Sequence, residues 1–487
     1  DAYNIAIGHS AGQAITTAIE DVVIGGLAGN SLTTGGRNTA LGHRALKNET
    51  EGNYNTAVGT EALSLQNTAS NSYNTAVGFR AGYNTTTGNR NILIGGHTGF
   101  SLTTGIKNVA VGGGALYSED TGSKSVAVGN DALKHQNYDG DAYNVAVGFD
   151  AGNDITTGIQ NTIMGGLAGD ALTTGARNIA IGYSALSSED TGGRNVAIGR
   201  AALEDLNAGT DAYNIAIGYE AGKEMTTGVQ NTILGGLAGD ALTSANNNVA
   251  IGYNAMGSED TGDGSTAVGH SALAAMNYDG YAHNTAIGYH AGKSVTTGTT
   301  NTLIGGLAGD ALTEGNNNVA IGKDTLGAET LGDRNVAVGN GALQNQNNTS
   351  DTDVYNTAIG YNAGLNVTTG TNNTIIGGLA GDALTTGSSN VALGYNALST
   401  EDAHGRNVAL GNSALATLNA GTHAYNTAVG YAAGQAVTTG TFNTIMGGLA
   451  GDSLTTGSYN TALGHDALNA EDTTSFNTAI GSQALKV

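Results

Sequence analysis

The chain has 487 residues and contains no cysteine, no proline and no tryptophan; only 12% of its residues are charged. Lack of cysteine excludes disulfide stapling and thiolate metal sites, but leaves the redox compartment open, because a secreted fibre can be held by its hydrogen-bonded ladders alone. Basic residues are scarce and scattered, 17 against 40 acidic, for a net charge of −23. Nucleic acid is thereby excluded as a partner, since phosphate binding needs clustered Lys and Arg. No apolar run reaches the roughly 18 residues that a membrane-spanning helix requires, so no membrane insertion is expected. What is abundant is glycine, 79 residues, with Asn, Thr and Ala. That composition speaks for a repeat fibre and against an ordinary globular enzyme. No linker or composition shift interrupts it, so residues 1–487 read as one domain although the length suggests about three.

One phrase explains the composition: Asn, a β-branched residue, a small apolar residue, a large aliphatic residue, Gly. It starts 28 times between Asn4 and Asn477, at spacings of 17, 17, 17 and 19 residues, with a single 21 between Asn335 and Asn356. The true unit is therefore four phrases and 70 residues, starting at Asn4, Asn74, Asn144, Asn214, Asn284, Asn356 and Asn426. We designate its four coils A, B, C and D. A repeat of this length cannot bury its apolar face alone and acquires a core by stacking on its neighbours.

A short alternating segment followed at once by Gly reads as a strand and a turn, and the glycine density excludes helix. The expected fold is all-β, a parallel β-solenoid of 28 coils. The fourth position is always large (Ile7, Val58, Met164, Leu234, Ile480), so it is expected to point into the core, with the second position on the same face. The third is never polar: Ala in coils A, C and D, and Val23, Leu93, Ile163, Ile233, Leu303, Ile375 and Ile445 in coil B. It is expected to face outward. A strand that is apolar on both faces is covered on both, which predicts a homo-oligomer, most simply a trimer. Further along the coil, Ala-Gly with a large twelfth residue (Ile155, Leu172) alternates with Ala-Leu and a polar twelfth residue. Thr173-Thr174-Gly175 and its equivalents are expected to supply a turn that uses φ > 0. The first-position Asn recurs in 25 of 28 coils, replaced by Asp21, Ser125 and Ser265. Such recurrence fits a stacked amide ladder of structural purpose, through Asn4, Asn74, Asn144, Asn214, Asn284, Asn356 and Asn426.

The phrase, as in Asn195–Gly199 and Asn248–Gly252, resembles the head repeats of YadA-type trimeric autotransporter adhesins. It is also similar to the repeat shafts of bacteriophage and cyanophage tail fibres. The resemblance runs the length of the chain and concerns architecture. It implies a left-handed β-roll, three chains side by side, and attachment at a cell or virion surface through a host glycan or protein receptor. The coils here are longer than those of the adhesin heads, and no neck, stalk, anchor or tip domain is recognisable.

Sites of chemistry are few. Acidic pairs recur in coil C (Glu119-Asp120, Glu189-Asp190, Glu259-Asp260, Glu401-Asp402, Glu471-Asp472) and read as solvated turns, without the burial that acid–base catalysis uses to shift a pKa. With Asp139 and Asp141 they offer oxygen ligands for Ca²⁺, but LNAGTDAYN and LNAGTHAYN elsewhere do not keep the set, and no cofactor is expected. His43, His135 and His465 have no metal spacing. Gly26, Gly166 and Gly236 lie in a Gly-Gly-Leu-Ala-Gly run that lacks the Lys and helix of a phosphate loop; their expected task is to make room for neighbouring rings. Phe79, Phe149, Tyr219, Tyr289, Tyr361 and Tyr431, just after the invariant Gly of coil A, form the candidate row for stacking on sugars or on another fibre. A second row (Tyr3, Tyr73, Tyr143, Tyr213, Tyr355, Tyr425, with His283) is expected to be a lid on the core. Enzymatic activity is not expected. An ice-binding solenoid is disfavoured because coils C and D break the Thr-Thr pattern. Incomplete coils at Asp1-Ala2-Tyr3 and Asn477–Val487, with no capping repeat, suggest continuation of the array or head-to-tail stacking into a filament.

Overall fold

The computed structural model describes residues 2–470 and 472–486. Among them there is no helix, and every coil contributes one three-residue strand formed by phrase positions two to four, such as Val145–Val147 or Thr162–Met164. Strands of successive coils pair in parallel with equivalent residues opposite one another, for example Thr162 with Ile179, Ile163 with Ala180 and Met164 with Ile181. The chain falls into two compact units, Asp1–Asn246 and Asn247–Val487. Each is a parallel β-solenoid of fourteen such strands. The longer D coils add a small edge pairing with the preceding coil C, as in Ser123 with Asp141, or Gly332–Asp333 with Thr352–Asp353.

Strand orientation is the reverse of the sequence expectation. The third residue is the one that points inward: Val23, Leu93, Ile163 and Ile233 are completely buried, as is Ala at that place in the other coils beyond the exposed first one. The fourth faces out, with Met164 and Leu234 each 42% exposed, and the second lies beside it. The interior is narrow: the third residue meets Ala at eight, Leu or Gly at nine and a large residue at twelve. Ala fits there in three coils of four, whereas the branched residues at two and four do not.

Volume is balanced between coils as well as within them. Coil A has Gly at nine, and a Cβ on Gly152 would lie 3.0 Å from Ile163 of the next coil and 3.2 Å from Leu133 of the previous one. The same pair of intruders flanks Gly82, Gly222, Gly292, Gly364 and Gly434. Backbone conformation is not the reason for glycine there, because Leu133 and Leu186 occupy position nine of other coils at φ 50° and 54°. Each such left-handed residue costs on the order of 1 kcal/mol, which the stacked core over-determines.

Conformation does require glycine at five. Gly165 has φ 138°, and a Cβ on it would lie 2.4 Å from the carbonyl oxygen of Gly182 in the next coil. The Thr-Thr-Gly glycine differs from expectation. Gly175 is not at positive φ; a Cβ would meet Gly192 O at 2.5 Å and Leu172 at 2.7 Å, so it serves close approach of coils. Beside it the Thr173 hydroxyl donates to Asp190 O at 3.0 Å, linking one turn to the next.

Candidate functional site

The first-position Asn is buried and bonded on both sides. Asn144 Nδ2 donates to Gly158 O at 2.8 Å, closing its own coil, while its Oδ1 accepts the Asn161 backbone N–H at 2.9 Å. Asn74, Asn214, Asn284, Asn356 and Asn426 do the same, closing on Gly88, Gly228, Gly298, Gly370 and Gly440. Asn4 closes on Ala18 O at 2.8 Å. These amides satisfy buried backbone groups that nothing else in the coil reaches.

The acidic pairs of coil C are not solvated turns. Glu119, Glu189, Glu259 and Glu401 are fully buried, and only the Asp beside each reaches solvent; Glu49 and Glu329, which Thr follows, are buried in the same way, and Glu471 lies outside the described residues. Each carboxylate accepts the N–H three residues on, as Gly122 donates to Glu119 at 2.6 Å. Burial raises the carboxyl pKa of Glu119, Glu189, Glu259 and Glu401 above the usual range. The following D coil completes the arrangement in two ways. Gln136 Nε2 donates to Glu119 Oε2 at 2.9 Å and its Oε1 accepts from Asn144 at 2.9 Å, with equivalents at Gln66 and Gln346. Elsewhere Leu206, Met276 and Leu418 stand in that place, and the second oxygen of Glu259 and of Glu401 has no side-chain donor. Alignment of columns carries the signal: Glu119 occupies the twelfth position, where coils A and B place Ile155 and Leu172 in the core.

Asp139 and Asp141 are engaged by neighbours, the first accepting from the Thr121 hydroxyl at 2.6 Å and the second pairing with Lys124 at 2.6 Å. His135 sits against Asp154 at 3.1 Å and His465 against Asp466 at 3.5 Å. His43 lies over Gly26, as Tyr183 lies over Gly166, each ring within 4 Å of where a Cβ would be.

Two aromatic rows lie on the surface. Phe79, Phe149, Tyr219, Tyr289, Tyr361 and Tyr431 are all about half exposed, up to 63% for Tyr431. Tyr289 stacks on His290 at 3.8 Å between ring centres and adjoins His270, which touches Tyr253. The second row is not a lid. Tyr73, Tyr143, Tyr213, Tyr355 and Tyr425 are exposed and stack outside the coil against neighbouring cations or rings: Lys124 lies 5.0 Å above Tyr143, Arg194 5.2 Å above Tyr213, and Tyr425, Phe442, Tyr459 and Phe476 form a continuous stack. Arg and Lys at the last position of coil C, such as Lys124 and Arg194, were the available sign of these cation–π pairs.

The outer side of the strand sheet runs through every coil of each unit as an apolar surface. Positions two and four carry only Thr, Val, Ile, Leu or Met in every coil, without one charge. Ile179 and Ile215 in the first unit, and Ile359, Leu393 and Met446 in the second, are exposed there. Fold and surface together define a parallel β-solenoid repeat protein with an apolar strand face and aromatic flanks. No family model matches the chain, and no curated protein matches it significantly. No helix among the described residues is long and apolar enough to cross a membrane.

Proposed function

We propose that the chain is a non-enzymatic structural fibre protein of a cell or virion surface, built as a homo-oligomer and serving attachment. The observation that carries this reading is the uncharged outer face of the strand sheet. Two partly exposed side chains per coil over fourteen coils amount to on the order of 1,000 Å² of apolar surface per unit, against the few hundred Å² that a monomer usually exposes. Roughly 800 Å² per partner suffices for a stable interface. A second copy of the same face is the simplest cover, because its flat rows are self-complementary, and a trimer closes the arrangement. The half-exposed rings of the coil A row then remain outside, where their faces are free to stack on a glycan or a receptor side chain.

Sedimentation of the wild-type chain beside Ile181→Glu and Leu234→Glu tests the assembly. Wild type sediments as a trimer and both variants as smaller species with unchanged β-sheet circular dichroism; a folded wild-type monomer refutes it. Replacing Tyr219, Tyr289 and Tyr361 by Ala abolishes glycan-array binding if the row is the attachment surface. The same strand face supports one other reading, ice binding. Its regularity extends through coils C and D, which the Thr-Thr turns do not, and thermal hysteresis shown by a monomer favours it.

A further inference from the structure

We propose that Glu401, Asp402 and His404 form a binding site for one divalent transition-metal ion of the Zn²⁺ class. In the equivalent coils the residue three after the buried Glu is Gly52, Gly122, Gly192, Gly262 or Gly332, where a Cβ would lie only 2.4 to 2.8 Å from the Glu carboxyl carbon. In this coil alone the place is taken by His404. Its backbone N–H still donates to Glu401 Oε1, at a lengthened 3.2 Å, and its ring is brought onto the carboxylate. Nδ1 stands 3.6 Å from Glu401 Oε1, too far for a hydrogen bond, and has no other partner.

Glu401 is fully buried, and its Oε2 has no side-chain donor, since the next coil presents Leu418 where three other super-repeats present Gln. The Asp402 carboxylate completes the group; one donor atom from each of the three residues lies within 4.8 Å of the others. The imidazole nitrogen without a hydrogen bond faces Oε1, which keeps a lone pair beside the one that accepts the His404 N–H, so the two can share one Lewis acid. A tetrahedral ion bonded at about 2.1 Å holds its ligands roughly 3.4 Å apart, near the separation of Nδ1 and Oε1. The imidazole selects against Ca²⁺ and Mg²⁺, which take oxygen sets, and suits Zn²⁺, Co²⁺ or Ni²⁺. His423 lies edge-on to His404 at 6.4 Å with its Nδ1 facing the Gly405 N–H, so it is not among the three ligands.

The test uses the full chain, stripped with a chelator and titrated with Zn²⁺ by calorimetry and with Co²⁺ by visible absorption. His404→Gly restores the residue that five other coils carry and so preserves the fold; Asp402→Asn is the second variant. Wild type is expected to take up one equivalent with a low-symmetry Co²⁺ spectrum. Both variants weaken that equivalent, His404→Gly on the order of 100-fold or more, beyond the loss of an outer-shell partner. Binding of the same stoichiometry and affinity in wild type and His404→Gly, or no binding by wild type, overturns the proposal.

Discussion

Asp21 is a substitution that the chain has already made in its own Asn column, and its consequence can be worked out. Its Oδ1 does what an Asn does, accepting the Asn38 N–H at 2.8 Å, and its own N–H donates to Asn4 at 2.8 Å. It lacks the amide hydrogens with which Asn38 reaches Gly52 O at 3.0 Å, and its Oδ2 is buried without a partner. Burial, opposed by the bonds from Asn38, raises its pKa from 3.8 to about 6. Because the folded pKa lies above the unfolded one, the ionised form is the one the fold disfavours. The penalty is absent below about pH 4, grows between pH 4 and 6, and is complete above pH 6. A shift of about two units corresponds to roughly 3 kcal/mol, or on the order of 100-fold in a local opening equilibrium.

Asp21→Asn removes the charge and supplies the missing donor, so it should raise protection at pH 7 by about that factor and abolish the pH dependence between 4 and 7. Solenoids open locally, so the assay is native-state hydrogen exchange at the Asn38 and Val22 amides, corrected for the intrinsic rate. Equal protection in wild type and variant at pH 7, or wild-type protection that rises with pH, would refute the reasoning.

Gly152→Ala places a Cβ against Ile155, Ile163 and Leu133 at 3.0 to 3.2 Å, and is expected to cost about 1–3 kcal/mol by overpacking. Ile163→Ala in the next coil makes room, so a double-mutant cycle by denaturant unfolding should show a favourable coupling above about 0.5 kcal/mol. Gln136→Leu imitates Leu206. It strips Glu119 of one donor and Asn144 of one acceptor, and should cost about 1–3 kcal/mol. It should also raise the Glu119 titration midpoint followed by carboxyl carbon NMR, since a hydrogen bond that favours the charged form is lost.

The amino-acid sequence by itself determined that there are coils, how many, where each begins, and that they are strands. The phrase is local, its glycine and its β-branched residues dictate strand and turn, and its recurrence dictates stacking. It also marked position one as special, because an amide kept through 25 of 28 coils has to satisfy something in each.

Which face of the strand is inside was decided only by the tertiary structure. Alternation has a period of two and is blind to a shift of one; when positions two, three and four are all apolar, size misleads, since Ile181 and Met164 look more like core than Ala180 does. The other half of the coil settles the matter by leaving a space that Ala fills opposite Ala and Leu, and that the larger third residue of coil B fills only because Gly152 and its equivalents yield. The same holds for Glu119 and Glu401, charged residues whose neighbours in sequence suggest solvent and whose place in the coil is the one that Ile155 and Leu172 fill in the core. A residue's place in a solenoid is fixed by what lies above and below it, about 17 residues away in either direction, and that information exists only once the coils are stacked.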